Sequence, residues 1–208
     1  NASNFVFTNL NYQKKQPRLF PTDRLFLSQL NSLIKSATSA FSQYNSSSSL
    51  QQTQNFFWKN FTDNYIEIVK DRIYNGTPEE KASASYTLYH SLLAILKLMA
   101  PFTPFITEHI YLEKFKQFEN SPSLHLSDWP KPVPIPSHKE DEKIWQHLIE
   151  IIYKIRQAKS LSKQPMNSPI ALTLTKRDYK ILEQLLPDLH AVAKAKSIKP
   201  GAFNIRFL

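Results

Sequence analysis

The 208-residue sequence contains no cysteine and only two glycines, Gly76 and Gly201. The absence of cysteine excludes disulfides, iron–sulfur clusters and catalysis by a thiolate. Walker and dinucleotide-binding loops require several glycines at fixed spacing, so the sequence excludes both kinds of loop. We therefore expect this chain to bind no cofactor and to carry no chemistry that depends on such loops.

Long apolar runs are also missing. No stretch approaches the ~20 apolar residues that a membrane-spanning helix needs, and we expect no membrane partner. Residues 1–5 lack the charged region and apolar core of a signal peptide. They also lack an initiator methionine, so we expect the chain to begin inside a longer protein. Hydrophobic residues still make up 41% of the sequence, which is enough for a folded core.

Catalytic and metal-binding patterns are absent from the sequence. The six histidines are scattered, and none forms the His-Glu-x-x-His pair of a zinc site. No serine lies in a Gly-x-Ser-x-Gly turn. Asp63 and Glu67 lie one helical turn apart, but flanking cations such as Lys59 and Lys70 favour ordinary ion pairs over acid–base catalysis. We expect no catalytic residue and no metal in this chain.

The sequence has an excess of positive charge. Its 26 lysines and arginines against 17 acidic residues give a formal net charge of +9. Such a charge favours a polyanionic partner, and nucleic acid is the usual one. Solubility alone is the alternative explanation.

Helical periodicity dominates residues 21–165 and predicts a mainly α, five-helix body. The first helix carries an apolar stripe that runs from Phe26 to Tyr44, and the second helix is expected over about 51–74. The third, fourth and fifth helices are expected over about 78–100, 105–118 and 140–163. Pro101 and Pro104 separate the third helix from the fourth, because neither residue donates a backbone hydrogen bond.

Several residues are predicted to cap these helices. Thr22 or Asp23 is expected at the start of the first helix. Thr77 and Glu80 form a capping box before the third helix, with Pro78 at its first position. Ser137 and Glu140 form a second capping box before the fifth helix.

The sequence changes in character after Pro165. Residues 170–175 alternate as in a strand, residues 175–189 show helical spacing, and residues 203–207 alternate again. Residues 166–208 are therefore predicted to form a small strand–helix–strand appendage on the helical body. Residues 1–20 are interpreted as a lead-in segment whose packing partner lies outside this sequence.

Cationic and aromatic side chains occur together at several places, as is typical of RNA-binding surfaces. Trp58 and Tyr65 accompany Lys70 and Arg72 in the second helix. Further cationic clusters are Lys154, Arg156, Lys159 and Lys163; Lys14, Lys15 and Arg18; and Lys194, Lys196 and Lys199. The alternative is that the aromatic residues belong to the core and that the cations form a solvated face.

Five segments together resemble the class I aminoacyl-tRNA synthetases for valine, isoleucine and leucine. Residues 1–6 (NASNFV) resemble the end of the helix that leaves the catalytic domain, and residues 23–30 (DRLFLSQL) resemble the first helix of the anticodon-binding bundle. Residues 57–70 (FWKNFTDNYIEIVK) resemble its second helix, residues 99–108 (MAPFTPFITE) its proline-broken segment, and residues 127–130 (SDWP) its closing loop. The order and spacing agree over nearly the whole chain.

The resemblance implies a helical domain that recognises the anticodon stem-loop of a tRNA. Glu67 and Lys70 favour the valine enzymes, whereas the isoleucine enzymes usually place arginine in that stretch. The group's His-x-Gly-His and Lys-Met-Ser-Lys-Ser motifs are absent. The resemblance therefore places catalysis and ATP use in other domains of a cytoplasmic, monomeric synthetase.

The partners implied by the resemblance are a valine tRNA and the rest of the synthetase chain, including its catalytic and editing domains. The candidate RNA-binding residues are Trp58, Asn64, Lys70, Arg72, Arg156, Lys159 and Lys163. Two alternatives stay open: the anticodon-binding domain of an isoleucine enzyme, and a helical protein-interaction module with a basic face.

Overall fold

The computed structural model describes residues 2–8, 15–136 and 138–208. The predicted mainly α fold with a helical body is confirmed. The helices up to residue 161 are α1 (Ala2–Thr8), α2 (Pro21–Ser42), α3 (Ser46–Asn55), α4 (Glu67–Asn75), α5 (Pro78–Met99), α6 (Pro104–Ile110) and α7 (Asp141–Leu161). No helix in the described residues is both long and apolar enough to cross a membrane.

Helix α2 begins at Pro21, and the prediction that Thr22 or Asp23 caps it is wrong. The residue before the helix is Phe20, which makes no side-chain cap, and both predicted capping residues are buried inside the bundle. The helix ends at Ser42, two residues before Tyr44. Tyr44 adopts a positive φ of 58° and is 96% exposed, so it does not continue the predicted apolar stripe.

The second long helix starts earlier than predicted, within the serine-rich segment. Asn45 precedes α3, and its side chain accepts a hydrogen bond from the backbone N–H of Ser48. This cap allows residues with low helix propensity to begin a helix. A π-helical segment (Phe56–Ile66) joins α3 to α4, so that one helix runs from Ser46 to Asn75.

The capping box of α5 is confirmed. Thr77 accepts a hydrogen bond from the N–H of Glu80, and the Glu80 carboxylate accepts one from the N–H of Thr77 at 2.8 Å. Pro101 follows the end of this helix at Met99, as predicted. Helix α6 then begins at Pro104 and is extended by a π-helical turn (Tyr111–Phe115).

A long connection between α6 and α7 is fastened to α2. The Trp129 indole N–H donates to Thr38 Oγ1 at 2.8 Å, and this bond holds the connection against α2. Helix α7 begins at Asp141, whose carboxylate accepts from the N–H of His138 and pairs with Arg24 at 2.7 Å. Ser137, the predicted first member of the second capping box, lies outside the described residues.

The centre of the core is aromatic. Phe26 of α2 is fully buried and stacks on Tyr65, with ring centroids 4.0 Å apart and planes 7° apart. Trp145 of α7 packs on Phe26 at 5.3 Å. Tyr65 therefore belongs to the core rather than to an RNA-stacking surface, and its hydroxyl donates to Asp23 Oδ1 at 2.6 Å.

The C-terminal part of the chain contains three strands where the sequence predicted two. Strands β1 (Ile170–Leu174), β2 (Ala195–Pro200) and β3 (Asn204–Phe207) form a sheet in the order β2-β1-β3. Strand β2 runs parallel to β1 and β3 runs antiparallel to it. The sequence concealed β2 because it is an edge strand with only Ala195 buried and with Lys196, Lys199 and Pro200 exposed.

The predicted single helix of this part is broken into α8 (Lys176–Ile181), a 3₁₀ turn (Glu183–Leu185) and α9 (Leu186–Ala193). Pro187 lies in the first turn of α9, where its missing N–H does no harm. An uninterrupted helix would need a backbone hydrogen bond from this residue. The break lets α9 turn back against α4 and α7.

Candidate nucleic-acid interface

A cleft with a volume of about 550 Å³, lined by charged and apolar side chains, lies where the bundle meets the C-terminal part of the chain. One side is formed by Thr62, Asp63, Glu67, Lys70 and Asp71 from the π-helical segment and α4. Helix α7 forms the floor, and residues 166–167 and 191–194 form the opposite side. The cleft therefore combines residues that are up to 132 positions apart in the sequence, from 62 to 194.

Arg156 and Asn64 form a direct contact at this cleft. Arg156 Nη1 donates to Asn64 Oδ1 at 3.0 Å, and Nη2 donates to the carbonyl oxygen of Asp63 at 2.9 Å. Asn64 Nδ2 donates to the carbonyl oxygen of Lys59 at 2.6 Å. The two candidate residues thus hold the wide turns of the π-helical segment. Such segments are uncommon and frequently occur at functional sites.

Replacement of Arg156 by alanine is expected to lower the free energy of unfolding by about 1–2 kcal/mol, because two hydrogen bonds from a charged donor disappear. Urea unfolding of both proteins measures the change. Lys154→Ala is the matched control: Lys154 makes an exposed pair with Glu150 on the same helix, and its loss is expected to cost less than about 0.5 kcal/mol. Equal effects of the two substitutions would contradict the role of Arg156.

Lys70 lies at the edge of the cleft with 40% of its side chain exposed. Its ammonium group pairs with the Glu67 carboxylate one helical turn away, and it also lies 5.9 Å from the ring centroid of Phe5. An exposed pair of this kind contributes little to stability and separates easily. Lys70 is therefore accessible to an anionic ligand.

Arg72, a predicted RNA contact, has its guanidinium buried among protein carboxylates. Nη1 and Nη2 donate to the two oxygens of Asp23 at 2.8 and 2.7 Å, and Nε donates to Asp188 Oδ1 at 2.8 Å. Burial alone would lower the pKa of Arg72, but the two carboxylates raise the pKa above its usual value. Every side of the guanidinium that could bind a phosphate is occupied.

Lys159 is likewise unavailable to RNA. The residue is 1% exposed, and its ammonium group donates to the carbonyl oxygens of Met166 at 2.8 Å and Ala193 at 2.9 Å. Burial, and then the nearby charge of Lys194, lowers the pKa of Lys159. Lys159 therefore fastens the C-terminal part of the chain to α7 instead of facing a ligand.

The two remaining candidates are exposed but lie outside the cleft. Trp58 is 61% exposed and borders a separate, largely apolar groove formed with α1, α5 and α6. Lys163 is exposed just beyond the end of α7 and adopts a positive φ of 53°. The structure thus brings Lys70, Arg156 and Lys159 together at one cleft, with Asn64 bonded to Arg156, and leaves Trp58 and Lys163 outside it.

The structure also shows residues that the sequence did not single out. Tyr153 is 62% exposed and lies one helical turn before Arg156 on α7. Its position outside the apolar stripe of Ile151, Ile152 and Ile155 was the signal that could have identified it. Asp188 gave no such signal, because its partner Arg72 is 116 residues away.

The predicted cluster near the start of the chain is only partly described. Lys15 and Arg18 are exposed, whereas Lys14 lies outside the described residues. Across residues 2–8, 15–136 and 138–208, no group of three or more histidine, cysteine, aspartate and glutamate side chains converges as a metal site would.

Comparison with known proteins gives one family over most of the chain. A family model described as the anticodon-binding domain of tRNA ligase matches residues 23–174. A valine–tRNA ligase from Anaplasma marginale is 37% identical over 165 residues, which cover 77% of this chain and 19% of the relative. The enzyme of the same name from Pyrococcus furiosus is 35% identical over 161 residues, covering 77% of this chain and 18% of the relative.

A third relative has the same name. This valine–tRNA ligase, from Methanothermobacter thermautotrophicus, is 35% identical over 169 residues, covering 81% of this chain and 19% of the relative. The chain thus spans less than a fifth of the length of these three relatives.

Proposed function

This chain belongs to the family of anticodon-binding domains of tRNA ligases, and from that premise we propose that it binds the anticodon stem-loop of a valine tRNA. We propose that it does so as part of a valine–tRNA ligase, in which other domains hold ATP and carry out catalysis. The observation that carries the proposal is the family match over residues 23–174, which include the helices on two sides of the cleft.

The composition of the cleft supports a role in reading unpaired bases. Adenine and cytosine, which valine anticodons carry at their second and third positions, both have an exocyclic amino group that donates hydrogen bonds. Asp63, Glu67 and Asp71 supply carboxylate acceptors in the cleft. Uracil, the third base of isoleucine anticodons, carries a carbonyl oxygen instead and would meet these carboxylates unfavourably. This contrast supports valine over isoleucine.

The cations at and near the cleft, together with exposed aromatic residues elsewhere on the bundle, support binding of the RNA backbone and of splayed bases. Lys70, Arg156 and Lys163 are placed to neutralise phosphates, which supply most of the affinity for nucleic acid. Exposed aromatic side chains such as Trp58 and Tyr153 offer surfaces for base stacking. In this proposal Asn64 acts indirectly, because its amide nitrogen and oxygen both form hydrogen bonds that hold the π-helical segment.

The remaining parts of the proposal concern the larger protein. The relatives are about five times longer than the matched segment, so the partner within the chain is the rest of the synthetase, including its catalytic and editing domains. We propose a monomeric enzyme in the cytoplasm, where tRNA is charged. These properties follow from the family resemblance rather than from the cleft.

Titration of the chain with valine tRNA transcripts tests the function. A transcript with a changed middle anticodon base, or with the third base changed from cytosine to uracil, is expected to bind roughly ten- to a hundredfold more weakly. Each lost base contact is worth about 1–3 kcal/mol. Fluorescence anisotropy at fixed salt measures the three dissociation constants.

Each alternative predicts a different result. Equal binding of all three transcripts would leave only a general RNA-binding surface. Tighter binding of the uracil variant would favour the isoleucine enzymes. The absence of RNA binding, even at low salt, would support the helical protein-interaction module.

A further inference from the structure

The C-terminal part of the chain, residues 166–208, carries its charge asymmetrically. It contains seven cationic and three acidic side chains. All seven cations are exposed, and in the described residues none of them forms an ion pair. They are Lys176, Arg177, Lys180, Lys194, Lys196, Lys199 and Arg206.

Two of the three acidic residues point toward the bundle instead. Asp178 Oδ1 lies 3.0 Å from His147 Nε2 of α7, and Asp188 Oδ1 lies 2.8 Å from Arg72 Nε of α4. Glu183 is the exposed acid that remains. The negative charge of this part is thus used to attach it to the bundle, and its free surface is strongly positive.

The register of the sheet shows how the free face is built. Leu172 of β1 pairs with Ile198 of β2 and Ile205 of β3, and this row packs on the core. The next rows point to the opposite face, which carries the exposed residues Lys199, Asn204 and Arg206, because side chains alternate along a strand. Thr173 pairs with Lys199 and Asn204, and Ala171 pairs with Ser197 and Arg206.

This free face has a small, polar centre between two cations. The central strand contributes the short side chains Ala171 and Thr173, and Gly201 lies against Thr173, since a Cβ at Gly201 would be 2.7 Å from the Thr173 methyl carbon. Lys199 and Arg206 lie on the two flanking strands in neighbouring rows, so two strand spacings and two residues along the strand separate their Cα positions, about 12 Å in all. Ser197 and Asn204 add hydrogen-bonding groups beside them. Cations and short polar side chains are the groups that proteins use on phosphates.

We propose that this face, defined by Ala171, Thr173, Ser197, Lys199, Asn204 and Arg206, is a second contact for the phosphate backbone of the bound tRNA. The proposal rests on the proposed function and adds a surface that extends beyond the matched residues 23–174. Charge complementarity selects RNA as the occupant, because the face offers cations and donors but no apolar pocket. It contributes affinity for any tRNA and no discrimination between anticodons.

The double variant K199Q/R206Q in the full 208-residue chain tests this surface. Loss of two phosphate contacts is expected to weaken binding about tenfold at ~0.1 M salt and to reduce the slope of log affinity against log salt by about 1.5. The ratio of affinities for the valine transcript and its middle-base variant is expected to stay unchanged. The charge-preserving variant K199R/R206K is expected to keep the wild-type slope.

The control K35Q/K116Q removes the same charge from two exposed lysines of the bundle that form no ion pair in the described residues. If wild type discriminates between anticodons while K199Q/R206Q has the same affinity and slope as this control, the sheet surface is not a contact and the proposed function stands. If wild type does not discriminate, the proposed function fails first. Displacement of the tRNA by polyglutamate at equal charge concentration would show a general polyanion surface and overturn the RNA assignment.

Discussion

Replacement of Arg72 by alanine is expected to lower the free energy of unfolding by about 3–5 kcal/mol, the largest effect of any single substitution considered. Removal of one partner from a buried ion pair leaves an uncompensated charge in a medium of low polarity. Here two carboxylates, Asp23 and Asp188, would lose their shared cation at once. A loss of this size is a large share of the stability of an ordinary domain.

Urea unfolding at neutral pH measures this loss, and limited proteolysis locates it. Because Asp188 lies on α9, the substitution is also expected to expose residues 166–208 to protease before the bundle unfolds. Lys131→Ala is the control, since Lys131 pairs with Asp128 at 3.1 Å with both side chains at least 80% exposed. Its loss is expected to cost less than about 0.5 kcal/mol. A comparable loss in the two proteins would contradict the importance of the buried network.

Acidification from pH 7 to pH 4 is expected to remove about 3 kcal/mol of stability through His90 alone. Burial lowers the pKa of His90 from 6.5 to about 4. Between these values the unfolded chain binds a proton that the folded chain does not, so stability falls as the pH falls through this window. A shift of one pKa unit corresponds to about 1.4 kcal/mol, which sets the size of the effect.

The variant His90→Gln isolates this contribution. It keeps a polar side chain beside Tyr86, whose ring centroid lies 4.2 Å from that of His90, but it cannot titrate. Carboxylates that protonate in the same range affect both proteins equally and cancel in the difference. The free energy of unfolding of the wild type, relative to that of the variant, is expected to fall by about 3 kcal/mol between pH 6.5 and pH 4. Parallel curves of stability against pH would show that His90 does not titrate as its burial requires.

Local signals in the sequence predicted the elements that depend on neighbouring residues. The capping box of Thr77 and Glu80 lies within four residues, and the start of α5 was placed correctly from it. The same holds for the break at Pro101, because a proline acts on its own helix. The sequence-based prediction failed where a side chain has a distant partner. Asp23 resembled a helix cap, but its carboxylate pairs with Arg72, 49 residues away.

The candidate site shows the same division. The sequence placed Lys70, Arg156 and Asn64 in one candidate set, and the structure puts Lys70 and Arg156 at one cleft, with Asn64 bonded to Arg156. The sequence could not separate Arg156, at the edge of the cleft, from Arg72 and Lys159, which lie beneath the surface. All three side chains are cationic, and all three lie in segments with helical periodicity. Only their distant partners, Asp188 for Arg72 and the Ala193 carbonyl for Lys159, distinguish them.

Short segments and composition were enough to predict the class of this protein. Helical periodicity, the capping residues, the scarcity of glycine and the excess of positive charge are properties of short segments or of composition, and together they indicated a helical, RNA-binding domain. Three outcomes depended on the tertiary structure. It left some cations exposed and buried others, it joined β2 to β1 as a third strand, and it turned Asp178 and Asp188 toward the bundle. These outcomes depend on burial and on pairs far apart in the chain, and the free energy of a charge is set by its surroundings rather than by its neighbours in sequence.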